Sequence, residues 1–288
     1  MKSVFRNQQG FTLVEIAIVL LIVTILLGYT VAMFPRQQEL KQYRAAEREM
    51  DQIIDAIIGF AQVNGRLPCP TNPNLVGVEN GGGAANCSDY GGFVPINTLG
   101  ITGRVNADTL LLDPWGNPYR YYVSFSDSAI SGTVGVHDFV QAPELRAVGI
   151  IDSDADGYTD LDGRYVICDD NGATIGDDCD GGANPVFGNP NGAGDYGGAP
   201  FVLLSMGKNW SDAPVNDELE NRGGSQTLTD LGIANGPSGN QYFLKNVGAG
   251  QTTFIRRPTG FADDFDDIVK WASPHILFSK MIEAGRLP

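Results

Sequence analysis

The chain is poor in the residues from which active sites and nucleic-acid surfaces are usually built. Its 288 residues include 2 histidines and 4 cysteines, and 19 Lys and Arg stand against 34 Asp and Glu. A formal net charge of −15 argues against nucleic-acid binding, because phosphate affinity needs clustered cations. His137 and His275 are isolated, and no serine or cysteine nucleophile has a recognisable partner motif. The sequence therefore favours a structural or binding protein over an enzyme.

Charge is also nearly absent from residues 11–34, an apolar run of 24 residues in which Glu15 is the one charged side chain. The run is long enough to cross a bilayer of about 30 Å. A polar leader with Lys2 and Arg6 precedes it and ends at Gly10. An ordinary secretory signal differs, because its shorter apolar core follows the basic region directly and ends at a small-residue cleavage site. A carboxylate inside a membrane span costs roughly 2.5 to 3.5 kcal/mol, so Glu15 is expected to have a partner.

The leader and the apolar run resemble the type III signal of the type IV pilin superfamily, which includes the pseudopilins of type II secretion. The resemblance rests on the junction Gly10-Phe11-Thr12-Leu13-Val14-Glu15. In that family a prepilin peptidase cleaves after the glycine and methylates the new amino terminus, which implies cleavage between Gly10 and Phe11 and N-methylation of Phe11. The family's glutamate pairs with the terminal amine of a neighbouring subunit as the filament grows, and the resemblance gives this assembly role to Glu15.

The same resemblance implies a location and a set of partners. The precursor would be a single-pass protein of the inner membrane with a periplasmic head, and it would later enter a periplasmic pseudopilus or a cell-surface pilus. Lys2 and Arg6 would hold the leader in the cytoplasm by the positive-inside bias. The implied partners are other pilin or pseudopilin subunits, the prepilin peptidase and the inner-membrane assembly platform.

Helical spacing of apolar residues continues beyond the apolar run, through residues 36–64. Gly65, with Pro68 and Pro70 behind it, is a natural stop. The predicted organisation is a leader (1–10), a helix (11–64) whose first part (11–34) serves the membrane and the filament core, and a head (65–288). An acidic region at about residues 126–200 is interpreted as an insertion, with residues 169–198 as long loops.

Residues 113–119 read Asp-Pro-Trp-Gly-Asn-Pro-Tyr, which predicts a turn leading into an aromatic, β-branched strand. These seven residues resemble a turn and strand of the major pseudopilin, and residues 201–207 and 265–271 resemble later strands of that protein. In that family a three-stranded antiparallel sheet packs on the helix. The resemblance therefore implies an α+β, pilin-like fold with large loop insertions. Residues 274–286 predict a short amphipathic helix that stops at Gly285.

All four cysteines lie outside the apolar run, which fits an oxidising compartment and two disulfides. Three connectivities are possible, and proximity along the chain favours Cys69–Cys87 and Cys168–Cys179. Closing loops of this size stabilises a fold by about 3 kcal/mol in the chain-entropy model. A metal site is the alternative, but neither pair has CxxC spacing and no histidine lies nearby.

The acidic region contains a stretch that matches the first nine positions of an EF-hand-type calcium loop. Its oxygen ligands would be Asp152, Asp154, Asp156, the carbonyl of Tyr158 and Asp160. Position 12 of such a loop is usually a bidentate Glu, but here it is Gly163, with Asp162 one residue earlier. Asp162, Asp169, Asp170 or water would then complete the shell. The alternative interpretation is a solvated turn in which Asp and Gly serve turn formation alone.

A second calcium candidate follows from the pseudopilin resemblance alone, because that family binds calcium beside a Ser-x-Gly turn. Here the turn is residues 205–207, and Asn209 stands where the family pattern has an aspartate. Asp217, Glu218 and Glu220 lie in the following loop and could substitute. A third acidic cluster, at residues 263–267, is interpreted as a solvated strand entrance.

The sequence therefore predicts a structural subunit of a type IV pilus-like or type II secretion pseudopilus filament, with calcium as a structural cofactor. A minor subunit is favoured, because bulky insertions restrict dense helical packing. The alternative is a calcium-dependent adhesin or binding head on a pilin-type stem.

Overall fold

The computed structural model describes residues 10, 12–81, 87–124, 138–148, 163, 165–169, 185–187, 198–208, 221–223, 227–234, 236–245, 247, 252–256 and 266–287. Residues 29–36 are described by their backbone alone. The chain divides into two compact units, Met1–Gln42 and Tyr43–Pro288. The second unit contains residues 43–64 of the first helix in addition to residues 65–288, and this larger unit is called the head below.

The first helix, α1, spans Leu13–Asn64 and ends at the residue predicted from the sequence. Its buried apolar side chains recur every three or four residues and share one face of the helix: Ala46, Met50, Ile53, Ile57 and Ala61. Gly65 ends the helix because its φ of +71° turns the chain away while its amide donates to the Ala61 carbonyl at 2.8 Å. Burying each large apolar side chain of the stripe stabilises the head by about 1.5 to 3 kcal/mol.

The larger sheet has four antiparallel strands in the order β1–β2–β5–β7. The strands are Gly91–Phe93 (β1), Arg120–Val123 (β2), Phe201–Ser205 (β5) and Ile268–Trp271 (β7). Three of them come from the segments that predicted strands, so the α+β class and the antiparallel sheet are confirmed.

Both faces of the larger sheet are buried. Tyr121 and Leu203 pack with the α1 stripe in one hydrophobic core, whereas Tyr122 and Leu204 pack in a second core on the opposite face. Successive residues of a strand point to opposite faces, so β2, β5 and β7 each contribute to both cores. This explains why these strands read as nearly continuous apolar runs rather than as an alternation of apolar and polar residues.

A second sheet of three strands, in the order β4–β3–β6, was not predicted. Its strands are Tyr165–Asp169 (β3), Pro185–Phe187 (β4) and Thr252–Arg256 (β6), with β3 parallel to β6 and antiparallel to β4. The interpretation of residues 169–198 as loops is therefore wrong where β4 lies, and the acidic region contributes β3 and β4 to this sheet. The sequence did not predict this sheet because β4 has only three residues, and because β6, the parallel partner of β3, is more than 80 residues away in the sequence.

The remaining described helical elements are short, except at the carboxy-terminal end. They are Ile96–Leu99 (α2), a 3₁₀ turn at Asp138–Val140, Ala142–Val148 (α3) and Pro274–Glu283 (α4). The hydroxyl of Ser273 caps α4 by accepting from the amide of His275, and Gly285 at φ +68° ends it, as the sequence predicts. Leu277, Phe278 and Met281 of α4 are buried in the core that contains the α1 stripe.

The turn before β2 is held by the buried carboxylate of Asp113. One carboxylate oxygen accepts from the amides of Trp115 at 3.0 Å and Asn117 at 2.8 Å, and the other accepts from the hydroxyl of Ser205 at 2.7 Å. The side chain of Asn117 in turn donates to the carbonyl of Gly207. Burial raises the pKa of Asp113 even though these donors favour its charged form. The turn thus fastens the start of β2 to the end of β5.

The segment that leaves α1 is held by a disulfide and a buried ion pair. Cys69 and Cys87, 18 residues apart, form the predicted disulfide. The guanidinium of Arg66 donates to both carboxylate oxygens of Glu79, at 2.7 and 2.8 Å, and Glu79 also accepts from the amide of Cys69 at 3.0 Å. One carboxylate therefore positions the half-cystine and the end of the helix together.

A third carboxylate, that of Asp108, joins two loops of the head. It accepts from the amide of Ser238 at 2.9 Å, from the Ser238 hydroxyl, and from the hydroxyl of Tyr242 at 2.6 Å. Burial raises the pKa of Asp108, but the three hydrogen bonds outweigh burial, so that the pKa lies below its usual value. Asp108 is therefore charged in the folded protein at neutral pH.

Replacing Asp108 with Asn should lower the free energy of unfolding by about 2 to 4 kcal/mol at neutral pH, because hydrogen bonds to a charged acceptor contribute about 1.5 to 3 kcal/mol each. Since folding lowers the pKa of Asp108, its contribution is present above the unfolded value of about 3.9 and is lost as the pH falls below it. Urea unfolding of the full chain in detergent should show the difference between wild type and Asp108→Asn shrinking in acid. Asp55→Asn, an exposed position on α1, is the control. A difference that is the same at every pH would contradict the assignment.

Candidate functional site

The predicted processing and assembly residues lie where α1 begins. Gly10 is exposed, Phe11 lies outside the described residues, and Thr12 is the residue before the first helical position, Leu13. Glu15 is three residues after Thr12 and is exposed, in the first turn of the helix. The structure thus places the candidate assembly carboxylate in the first turn of α1, five residues after Gly10 in the sequence.

Thr12 and Glu15 form a reciprocal capping box. The amide of Glu15 donates to the Thr12 hydroxyl oxygen at 3.3 Å, while the amide and hydroxyl of Thr12 both donate to the Glu15 carboxylate, at 3.1 and 3.2 Å. These bonds satisfy amide groups that have no partner within the first turn of a helix, and a carboxylate there also interacts favourably with the helix dipole. The Thr-x-x-Glu pattern of residues 12–15 is a known sequence signal for a capping box. That signal was not used above, so the cap was not predicted.

The first turns of α1 expose apolar side chains around the whole helix. Leu13 is 85 % exposed and Ile25 is 64 % exposed, and the other large apolar side chains between them are also exposed. The hydroxyl of Thr24 donates to the carbonyl of Leu21 at 2.8 Å, so even this polar group is satisfied within the helix. A helix that is apolar on all sides is normally covered by lipid or by other helices.

No helix among the described residues meets the combined requirements of length and apolarity for a membrane span.

Apart from Asp169, the predicted calcium ligands lie outside the described residues. Asp152, Asp154, Asp156, Tyr158, Asp160 and Asp162 all lie outside the described residues, as do Asp217, Glu218 and Glu220. Within the described ranges, no group of three or more His, Cys, Asp or Glu side chains is arranged to hold a metal ion. Calcium binding therefore stays a prediction from the sequence.

The acidic cluster at residues 263–267 is not a solvated strand entrance at its carboxy-terminal end. Asp266 and Asp267 are both buried. The carboxylate of Asp266 accepts from the amide of Lys208 and lies so close to Gly207 that a Cβ there would be 2.3 Å from the Asp266 side chain. Asp267 accepts from the side-chain amide of Asn221 at 3.0 Å. The interpretation as a solvated cluster is wrong for Asp266 and Asp267, because both carboxylates accept hydrogen bonds in the interior of the head. The density of acidic residues in the local sequence does not reveal these donors.

The structure describes one of the two cysteines of the second predicted disulfide. Cys168 is buried in β3 and is disulfide-bonded, whereas Cys179 lies outside the described residues. The pairing Cys168–Cys179 therefore stays a prediction.

Residues 5–31 match the family model of the prokaryotic N-terminal methylation motif. The matched range contains Gly10, Phe11, Thr12 and Glu15 together with most of the exposed apolar surface of α1. This motif is the hallmark of the prepilin-type signal of type IV pilins and pseudopilins. The chain therefore carries a prepilin-type signal, and the resemblance found in its sequence is confirmed.

Comparison with curated proteins and with solved structures finds no significant match. The match that exists covers the amino-terminal signal, so it supports a pilin-like or pseudopilin subunit without distinguishing between the two. The pilin-like assignment of the head stays a prediction from the sequence.

The hydrogen bonds of the capping box should stabilise the first turn of α1 and leave the rest of the chain unaffected. Thr12→Val removes the hydroxyl but preserves the shape of the side chain, so the first turn of α1 should fray by about 0.5 to 2 kcal/mol. Amide hydrogen exchange at residues 13–16 of the full chain in detergent should accelerate by roughly two- to thirtyfold, while exchange in the head is unchanged. Thr12→Ser, which restores the hydroxyl, should exchange nearly as slowly as wild type. Equal protection in Thr12→Val and wild type would show that the cap does not hold this turn.

Proposed function

We propose that the protein is a structural subunit, present as a minor component, of a type IV pilus-like or type II secretion pseudopilus filament. The observation that carries the proposal is the methylation motif at residues 5–31, with Glu15 at the start of a helix whose apolar side chains are exposed on all sides. The peptidase would cleave between Gly10 and Phe11, and methylation would follow on Phe11. Catalysis has no role in the proposal, since a filament subunit acts through its contacts.

The exposed apolar surface of α1 is consistent with two successive environments. In the precursor, lipid of the inner membrane would cover residues 11–34, with the head on the periplasmic side. In the filament, the corresponding helices of other subunits would replace the lipid. Lipid and neighbouring helices are similarly apolar, so this exchange needs little net change in hydrophobic free energy. Specificity must then come from polar contacts, and Glu15 is the charged group in the segment.

The Glu15 carboxylate would need a cationic partner inside a bundle of helices, because an unpaired buried carboxylate is strongly destabilising. The amine that cleavage would create at Phe11 of a neighbouring subunit supplies this charge. Charge-assisted hydrogen bonds are roughly twice as strong as neutral ones, so the amine can displace the neutral Thr12 donors from the Glu15 carboxylate. The cap would thus hold the carboxylate in the precursor and release it during assembly.

The head supports a minor subunit over a repeating major one. It carries a second sheet, β4–β3–β6, in addition to the sheet that contains the Asp-Pro-Trp-Gly-Asn-Pro-Tyr turn and β2. Such additions enlarge a subunit and restrict how closely identical copies can pack. The resemblance of residues 113–119 to a turn of the major pseudopilin favours a secretion pseudopilus. A surface pilus is the second candidate filament.

The processing step can be tested by intact and peptide mass of the full chain, expressed with and without a prepilin peptidase. Loss of residues 1–10 and gain of one methyl group on Phe11 are expected when the peptidase is present. A chain that stays uncut would refute the processing route.

The same cells test the role of Glu15. Glu15→Val should be inserted and cleaved but should enter filaments at least about tenfold less than wild type, because the charge pair is lost. Asp55→Asn, which also removes one carboxylate of α1, is the matched control and should assemble normally. Filaments that contain Glu15→Val at wild-type levels would refute the assembly role.

Calcium is proposed as a structural cofactor of the acidic region, with Asp152, Asp154, Asp156, Tyr158, Asp160 and Asp162 as ligands. Chelation should lower the melting temperature of the full chain, and the double variant Asp154→Ala/Asp156→Ala should be insensitive to chelation, because it loses two oxygen ligands of one ion. Asp230→Ala, which removes a carboxylate outside the loop, is the control and should keep the sensitivity to chelation. Unchanged melting on chelation would refute the site. Glycan binding that appears with calcium would instead support the adhesin alternative.

A further inference from the structure

A cavity in the head is lined by two side chains of opposite charge, Glu49 and Arg104. We propose that this cavity binds a short aliphatic peptide whose amino and carboxyl termini are both free and charged. Glu49 accepts from the ammonium group, Arg104 donates to the carboxylate, and the apolar walls cover the aliphatic side chains. The inference goes beyond the proposed filament function and does not depend on it.

The cavity has a volume of about 440 Å³ and lies between α1 and the segment that joins α2 to β2. Volumes of this order are typical of sites for small molecules, which combine apolar walls with a few polar groups. This volume accommodates a ligand of two aliphatic residues. The lining includes three buried apolar or aromatic side chains and three polar side chains: Ile53, Leu111, Tyr119, Glu49, Gln52 and Arg104.

The wall that contains Arg104 and Leu111 is held in place by backbone hydrogen bonds. The amide of Leu112 donates to the carbonyl of Arg104 at 2.8 Å, and the amide of Tyr119 donates to the carbonyl of Leu111 at 3.0 Å. The same three segments are joined by antiparallel bridges. A wall fixed in this way loses little conformational freedom when a ligand binds, and such preorganisation favours affinity.

The fold positions the Glu49 carboxylate through the buried hydroxyl of Tyr119, which donates to it at 2.8 Å. Burial raises the pKa of Tyr119 and the neighbouring Glu49 carboxylate raises it further, so the hydroxyl remains a donor at neutral pH. Within the described part of the chain, this is the one hydrogen bond that the Glu49 carboxylate accepts. A carboxylate can accept several hydrogen bonds, so Glu49 retains the capacity to bind an ammonium group.

The fold also positions Arg104, because its guanidinium donates to the carbonyl of Asp113. A guanidinium has several further N–H donors, which can bind a carboxylate. Against the effects of burial and Glu49, Arg104 lowers the pKa of Tyr119, so both charges act on the same hydroxyl. Neither Glu49 nor Arg104 forms an ion pair with any charged group that the structure describes.

The two charges select a ligand that carries both signs. An anion would be attracted by Arg104 and repelled by Glu49, and a cation would meet the reverse, so neither satisfies the site. A lipid acyl chain would remove water from both charges without supplying partners, which is destabilising. A zwitterion satisfies both charges, and because it has no net charge it is not repelled by a chain of formal net charge −15.

The test measures binding of leucyl-leucine to the full-length chain in lipid nanodiscs by calorimetry. The chain is expressed without prepilin peptidase, so the result does not depend on processing or on filament assembly. A ligand of this size in a well-formed site should bind with a dissociation constant on the order of 0.1 mM. Saturable binding near this value is expected, and the absence of saturable binding would overturn the inference.

Glu49→Gln and Arg104→Gln each remove one charge and keep a polar side chain at the position. Each should weaken binding of leucyl-leucine at least about tenfold, because a hydrogen bond between charged groups is lost. Asp55→Asn and Arg146→Gln are the controls, since they remove the same charges at exposed positions of the head outside the cavity, and they should bind as wild type does. Equal weakening in the controls would contradict a specific site. Unchanged protease resistance of the head checks that the variants fold.

Peptides that lack one charge test the wild-type chain without any substitution. N-acetyl-leucyl-leucine has no ammonium group and leucyl-leucine amide has no carboxylate, so each should bind at least about tenfold more weakly than leucyl-leucine. Glu49→Gln should cause no further loss for the acetylated peptide, and Arg104→Gln none for the amide, because the partner charge is already absent. Equal affinity of wild type for all three peptides would show that apolar contact alone drives binding. That result, or losses that simply add, would refute the assignment of the termini to these side chains.

Discussion

The packing of the α1 stripe against one face of the larger sheet is the contact on which the head depends. Met50, Ile53 and Ile57 meet the side chains of Tyr121 and Leu203 in a single core, to which α4 adds its own apolar face. The sheet could not be buried on this face without the helix, and the helix would expose its stripe without the sheet. Because helix and strands are far apart in sequence, the two must fold together.

Buried carboxylates give this apolar architecture its geometry. Asp113 fastens the turn before β2 to the end of β5, Glu79 fixes the chain that leaves α1, and Asp108 joins two distant loops. Each accepts two or more hydrogen bonds, which is what makes a buried carboxylate tolerable. A strongly acidic chain therefore uses part of its charge for connections inside the fold.

An apolar surface and a charged group recognise a partner in two different ways. An apolar helix surface is satisfied by lipid and by other helices alike, so it can change environment but selects a partner weakly. Charges are selective, because a wrong pairing costs several kcal/mol. Glu15, in the first turn of α1, is the one charged side chain of residues 11–34 and therefore the group in that segment able to select a partner by charge.

The sequence by itself determined the features that depend on local order. The signal at residues 5–31, the end of α1 at Asn64, three of the four strands of the larger sheet and the stop at Gly285 all follow from spacing, turn residues and a specific junction. Tertiary structure alone decided the second sheet and the burial of Asp266 and Asp267. Pairing of β3 with β6 joins residues that are distant in the chain, and no local pattern encodes which distant strand will supply the hydrogen bonds. For the same reason, an acidic cluster reads as a surface until the donors that bury it, such as the amide of Lys208, are brought to it by the fold.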